Sequence, residues 1–183
     1  MEKETLNTYT TDLLTLIKHT HKAVKTQQTS SKLTNQKASD LLHKIDLTLT
    51  AQVDQLKNMN EFLNDGTKST IKETLATFSG AIAGAIDTQR NDAVSKMLRD
   101  DYTALGMIAT GYTMLHTAAL GASEEDLADF TKESLTNIAA LITRTSEVIP
   151  HIVAEELEIS DVAEQAEANT QECWNPDNYL QEA

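Results

Sequence analysis

The stretch Ser39-Asp-Leu-Leu-His-Lys-Ile-Asp-Leu-Thr-Leu-Thr-Ala-Gln-Val-Asp-Gln-Leu-Lys-Asn-Met-Asn-Glu-Phe-Leu63 decides the fold. Leu42, Leu49, Leu56 and Leu63 recur at one heptad position, with Ile45 and Met59 at the second. A seven-residue apolar repeat keeps one stripe of a helix turned toward neighbouring helices, whereas a half-buried strand would alternate with period two. The segment therefore predicts a long helix beginning near Ser39 and packed in a bundle. Asn64-Asp65-Gly66 stops it, Gly66 being suited to a left-handed cap.

The same reading extends in both directions. Leu6, Leu13, Ile17 and Val24, widened by Tyr9, Leu14 and Leu16, predict a first helix from about Thr5 to Gln28. The polar run Gln28 to Asn35 reads as a loop. Thr70-Ile-Lys-Glu73 fits a capping box for a helix running to about Gln89, on which Gly80 and Gly84 allow close approach of another helix. Asn91-Asp92 precedes the next helix, with Leu98, Leu105, Ile108, Tyr112, Leu115 and Ala119 as its seam and Gly121 as its stop. Ser123-Glu-Glu-Asp126 caps the last long helix, striped by Leu127, Phe130, Ile138, Leu141, Val148 and Ile152; Pro150 should kink or end it. The expectation is an all-α, antiparallel up-and-down four-helix bundle over residues 1–153, with short connections around Gly66, Asn91 and Gly121 and a short extra C-terminal segment.

Composition agrees. A chain of 183 residues suits one domain plus a tail, and six glycines with two late prolines argue against a turn-rich β fold. Threonine is frequent, about one residue in seven, and β-branched Thr is a mediocre helix former. Apolar periodicity must carry the helices instead. No apolar leader follows Met1, and no uncharged apolar run is long enough to span a bilayer, so a cytoplasmic location is the expectation. Cys173 is the single cysteine and can form no internal disulfide.

Charge is uneven. Of the net −13, the part after Arg144 supplies ten acids and no Lys or Arg, whereas Leu13 to Ser39 holds Lys18, Lys22, Lys25, Lys32 and Lys37 and no acid. So acidic a chain argues against nucleic-acid binding, which needs a cationic face. Residues 154–183 read as an acidic tail, a weak helix or linker ending in Trp174, Pro176, Tyr179 and Leu180. Those four are the candidate docking residues for a protein partner, since Trp and Tyr anchor interfaces. The tail could also fold back on Lys18, Lys22 and Lys25.

Extending the heptads places polar residues where the seam should be apolar: Thr10 and Thr20, Gln52, Asp101, Ser134 and Thr145, with His21 at the edge. One reading makes Asp101 and His21 remnants of a polar site in the core. The plainer reading has the threonines bonding back to their own helices and Asp101 facing solvent. Asp40, His43 and Asp46 form a second group, read as a solvated helix start. Glu147, His151 and Glu155 form a third, read as a surface row. None contains Glu-x-x-His, and no nucleophile elbow or phosphate-binding loop is present.

With the helices in order, the chain resembles the YciE/YciF-type ferritin-like family, bacterial bundle proteins linked to stress. The resemblance rests on Tyr9-Thr-Thr-Asp-Leu-Leu14 followed by His21-Lys22, on Val53-Asp-Gln-Leu56, on Leu120-Gly121 and on Lys132-Glu-Ser-Leu135. It implies a ferritin-like fold and, in metal-binding members, carboxylate and Glu-x-x-His ligands. At the matching places stand His21, Leu47 with Thr50, Thr103 with Gly106, and Thr136 with Ala139. One ligand type in seven positions cannot hold two metals. The expectation is thus a non-catalytic, homo-oligomeric, stress-associated scaffold or interaction protein without cofactor, its tail serving as attachment. The alternative is a di-metal (iron or manganese) protein or oxidase, in which Asp101 and His21 converge with carboxylates among Glu61, Glu73, Asp87 and Glu133.

Overall fold

The computed structural model describes residues 3–63 and 93–174, all of their regular structure helical. Four long helices are followed by a short one: α1 Lys3–Gln28, α2 Gln36–Leu63, α3 Val94–Ala122, α4 Glu125–Glu156 and α5 Ala163–Cys173, with a 3₁₀ turn at Ser160–Val162 between the last two. The helix expected over Thr70 to Gln89, and the Gly66 stop, lie outside the described residues.

The apolar stripes meet in one core. Leu42, Ile45, Leu49 and Leu56 of α2 are fully buried among Leu6, Leu14 and Ile17 of α1, Leu98, Leu105, Ile108, Tyr112 and Leu115 of α3, and Ile138, Leu141 and Val148 of α4. Burying each such side chain contributes roughly 1.5–3 kcal/mol, which offsets the poor helix propensity of the threonines. The packed pairs are α1 with α2, α1 with α3, α2 with α4, α3 with α4 and α4 with α5. Polar contacts fix their registers. Asn35 at the start of α2 donates to Glu155 near the end of α4, while Gln52 Nε2 reaches the Ser134 carbonyl at 3.3 Å. Ser95 of α3 meets Glu156, and farther along α3 the Tyr112 ring packs edge-on against Phe130 at 6.1 Å. Gln27 bonds Asp101, and Leu13 lies against Gly111.

Helix ends differ from the sequence expectation in four places. α2 starts at Gln36, because the Asn35 side chain accepts the Ala38 amide at 3.2 Å and caps it early. α3 runs through Gly121 to Ala122, and Ser123 takes the left-handed conformation, φ 60°, in place of a glycine. Its amide and that of Glu124 close back on Leu120 O and Ala119 O, the paired bonds of a Schellman end. Ser123 is therefore a helix terminator, and the cap position of α4 falls to Glu124, which makes no side-chain cap. Finally, Pro150 neither ends nor shortens α4, which continues to Glu156. Proline forfeits one backbone bond there, and the buried Val148, Ile152 and Ala154 on the same helix outweigh that loss.

Beyond Glu156 the chain turns at Glu158, φ 58°, and folds back. What sequence reads as a weak helix or linker is an ordered α5 lying on α4.

Candidate functional site

Of the six polar residues that the heptads place in the seam, all are buried. Thr10, Thr20 and Thr145 each donate to the carbonyl four residues earlier, at 2.8, 3.1 and 2.8 Å, and so carry no unmet polar group into the core. Gln52 Nε2 donates to the main-chain carbonyl of Ser134 across α2 and α4, while its Oε1 has no partner. The sixth is Asp101, and the reading that turns it to solvent is corrected: it is 2% exposed.

Asp101 sits in the first turns of α3 against the last turn of α1. Gln27 Nε2 donates to its Oδ1 at 3.1 Å, while its Oδ2 and the Gln27 Oε1 have no partner. Burial raises the Asp101 carboxyl to about 7; the Gln27 bond pulls it down and the neighbouring Asp100 pushes it up. Tyr112 is likewise raised by burial, its hydroxyl lying next to Ser134 without a well-formed hydrogen bond.

His21 is elsewhere. Its Nε2 is 2.6 Å from Asp46 Oδ1 and 3.0 Å from Thr50 Oγ1, a half-buried contact between α1 and α2. Asp46 is thereby separated in role from Asp40, which accepts from Gln36, and from the exposed His43. His21 and Asp101 thus bond to different partners, and the sequence pairing of the two as one site is not formed. Glu133 is exposed on α4. The Glu61 side chain, Glu73 and Asp87 lie outside the described residues. Among those described, no three His, Cys, Asp or Glu side chains cluster as metal ligands would.

The third group is more than a surface row. Glu147 pairs with Arg144 at 2.8 Å and Glu155 binds Asn35, while His151 reaches both neighbouring elements: Lys37 of α2 at 2.9 Å and Glu167 of α5 at 2.6 Å. The described part of the tail does fold back, its α5 lying on α4. Sequence reasoning missed this site because Glu167 stands in a stretch whose only helical signal is spaced alanine.

At the far end of α5, Trp174 lies 6.3 Å from Tyr102 at 45° and is still 61% exposed. With Ile142, Ser146, Glu147 and Gln171 it borders an open groove of about 470 Å³. Pro176, Tyr179 and Leu180 lie outside the described residues. Nine large apolar side chains are exposed among the described residues, and five of them, Val153, Leu157, Ile159, Val162 and Trp174, fall on this C-terminal portion. Glu155, Glu158, Asp161 and Glu164 alternate with them. No described helix is long and apolar enough to cross a membrane. No protein-family model, curated protein or solved structure matches the chain.

Proposed function

We propose that this protein is a divergent ferritin-like bundle that acts as a stress-associated scaffold or interaction protein, not as an enzyme, and that its C-terminal portion is the attachment surface. The helix registers support the ferritin-like part. Contacts along α1 meet α3 in reverse order, and those along α2 meet α4 in reverse order. With the hairpins α1–α2 and α3–α4, these registers favour an up-down-down-up order with one crossover, the connectivity of ferritin-like folds, in place of the plain up-and-down order with short connections expected from sequence. The family's ligand positions hold Thr, Leu, Gly and Ala apart from His21, whose ring is engaged by Asp46.

The observation that carries attachment is the concentration of exposed apolar side chains between Val153 and Trp174, interleaved with acids. Exposed apolar surface rimmed by charge marks an interaction site. Its complement is a protein with an apolar cleft bordered by Lys and Arg. The setting is cytoplasmic and the bundle self-associates. The test is cross-linking of the full chain in native extract, compared with a Leu157→Ser, Ile159→Ser, Val162→Ser variant whose helicity is intact. Cross-links to a basic partner that map to residues 153–183 and vanish in the variant support the proposal. Uptake of about two metals per chain with oxidation of Fe(II), the di-iron stoichiometry of ferritin-like centres, overturns it.

A further inference from the structure

His151 stands on α4 where α2 and α5 both touch it. Its Nε2 is 2.6 Å from Glu167 Oε2 and 2.9 Å from Lys37 Nζ. One ring nitrogen carries either a proton or a lone pair. With the proton it donates to Glu167, and the all-donor Lys37 ammonium then meets an N–H. With the lone pair it accepts from Lys37, and the Glu167 carboxylate then faces electron density. The two contacts are alternatives at Nε2: the imidazolium makes only the first, and the neutral ring makes either one according to its tautomer.

α5 fully buries one residue, Ala163, and Trp174 at its end packs against Tyr102, so the polar contact to His151 is a substantial part of what docks it. The charged groups around the ring are few. From α2 comes Lys37 and from α5 Glu167; on α4 itself Glu147 is paired with Arg144, and Glu155 is bound to Asn35. The Glu167 carboxyl is held below its ordinary range chiefly by the His151 bond, with Lys37 and Arg144 adding to it.

We propose that His151 is a proton-operated clasp for the C-terminal helix: the imidazolium pairs with the Glu167 carboxylate and holds α5 on α4, whereas the neutral ring keeps only an uncharged bond to Glu167 or, with its lone pair on Nε2, takes Lys37, and so loosens α5. What this does to attachment rests on the function proposed above; the clasp itself does not. Docking is tightest while the ring is charged and weakest once it is neutral. Loss of one charge-assisted hydrogen bond raises the undocked fraction by about tenfold.

Trp174, the chain's single tryptophan, follows α5 directly and reports its docking without a label. The measurement is acrylamide quenching of its fluorescence in the full chain between about pH 5.5 and about pH 8, across the histidine range, with far-UV circular dichroism confirming an unchanged bundle. The expected result is quenching that rises with pH in the wild type. His151→Gln, whose amide donates to Glu167 at every pH, should be flat and protected. Lys37→Met, which removes the competitor, should blunt the rise. A flat wild-type profile overturns the clasp, as does a His151→Gln variant that keeps the transition, since the proton would then belong to His19, His21, His43 or His116. If His151→Gln fails to fold, an undiminished transition in Lys37→Met overturns it equally. Partner capture plays no part in this readout, so the clasp and the attachment surface stand or fall separately.

Discussion

At the scale of the residue, Asp101 is the group most at odds with its surroundings. A carboxylate at 2% exposure with one amide donor is under-solvated, and the unpartnered Oδ2 and Gln27 Oε1 are two acceptors short of a donor. The neutral acid supplies one. Burial favours this protonated form in the folded chain, raising the pKa from 3.8 to about 7. The folded state therefore holds its proton to higher pH than the unfolded chain does. The stability that results is complete below about pH 4, falls as pH rises toward about 7 and is level above; a shift of about three units corresponds to up to about 4 kcal/mol. Asp101→Asn keeps the shape and a bond to Gln27 and cannot ionise. It should flatten that slope and be the more stable protein at about pH 8, as urea unfolding at several pH values would show; parallel slopes in the two proteins would refute the assignment. Heptad position puts Asp101, Gln52 and Ser134 in the seam, yet the plainer reading still turns Asp101 to solvent, although a one-residue slip would turn Ile108 and Leu115 out with it. It could not reveal which interior polar groups are satisfied. Thr10 answers to its own helix, but Asp101 answers to Gln27, 74 residues away in sequence, and the same pattern of letters precedes both outcomes.

At the scale of the element, the long helices were legible because their apolar stripes are continuous; their ends were not. α3 and α4 both finish in Schellman turns, at Ser123 and Glu158, with positive φ and no glycine. The glycine that sequence nominates, Gly121, remains helical two residues earlier. At the end of α4 a tertiary contact adds to the turn: Glu156 accepts the Ser95 amide at 3.0 Å and its hydroxyl at 2.5 Å, so the end of one helix caps the beginning of another. Non-glycine residues in the left-handed region carry a steric cost that glycine avoids. Glu158→Gly should therefore raise stability by about 1 kcal/mol, the left-handed strain relieved less the added freedom of the unfolded chain. Denaturant midpoints at unchanged m-value would register it. A loss of stability would mean that the Glu158 side chain holds the turn. The same reasoning explains why α5 was underrated. Its place is set by His151 on Glu167 in mid-helix and by Tyr102 on Trp174 at its end, contacts that no local pattern announces.

At the scale of the whole molecule, the connection between α2 and α3 is the decisive feature. α2 opens beside the end of α4, through Asn35 and Glu155, and closes toward the start of α4 past Gln52 and Ser134. α3 opens at that same first end, where Ser95 meets Glu156 and Asp101 meets Gln27. Leu63 and Ala93 therefore stand at opposite ends of the bundle, separated by nearly the length of α2, whose 28 residues rise about 42 Å. A six-residue link reaches at most about 20 Å, whereas one of about 16 residues can span the distance. Replacing residues 64–92 with six Gly and Ser residues should therefore forbid the native monomer, giving an unfolded chain or a swapped oligomer in which α3 and α4 pack on a second copy. A flexible link of about 20 residues, comfortably beyond that limit, should restore a helical monomer of native spectrum. Size-exclusion chromatography with light scattering, read beside circular dichroism, separates the outcomes. A stable native-like monomer with the short link would place α2 and α3 as adjacent hairpin partners and remove the up-down-down-up order on which the ferritin-like reading depends.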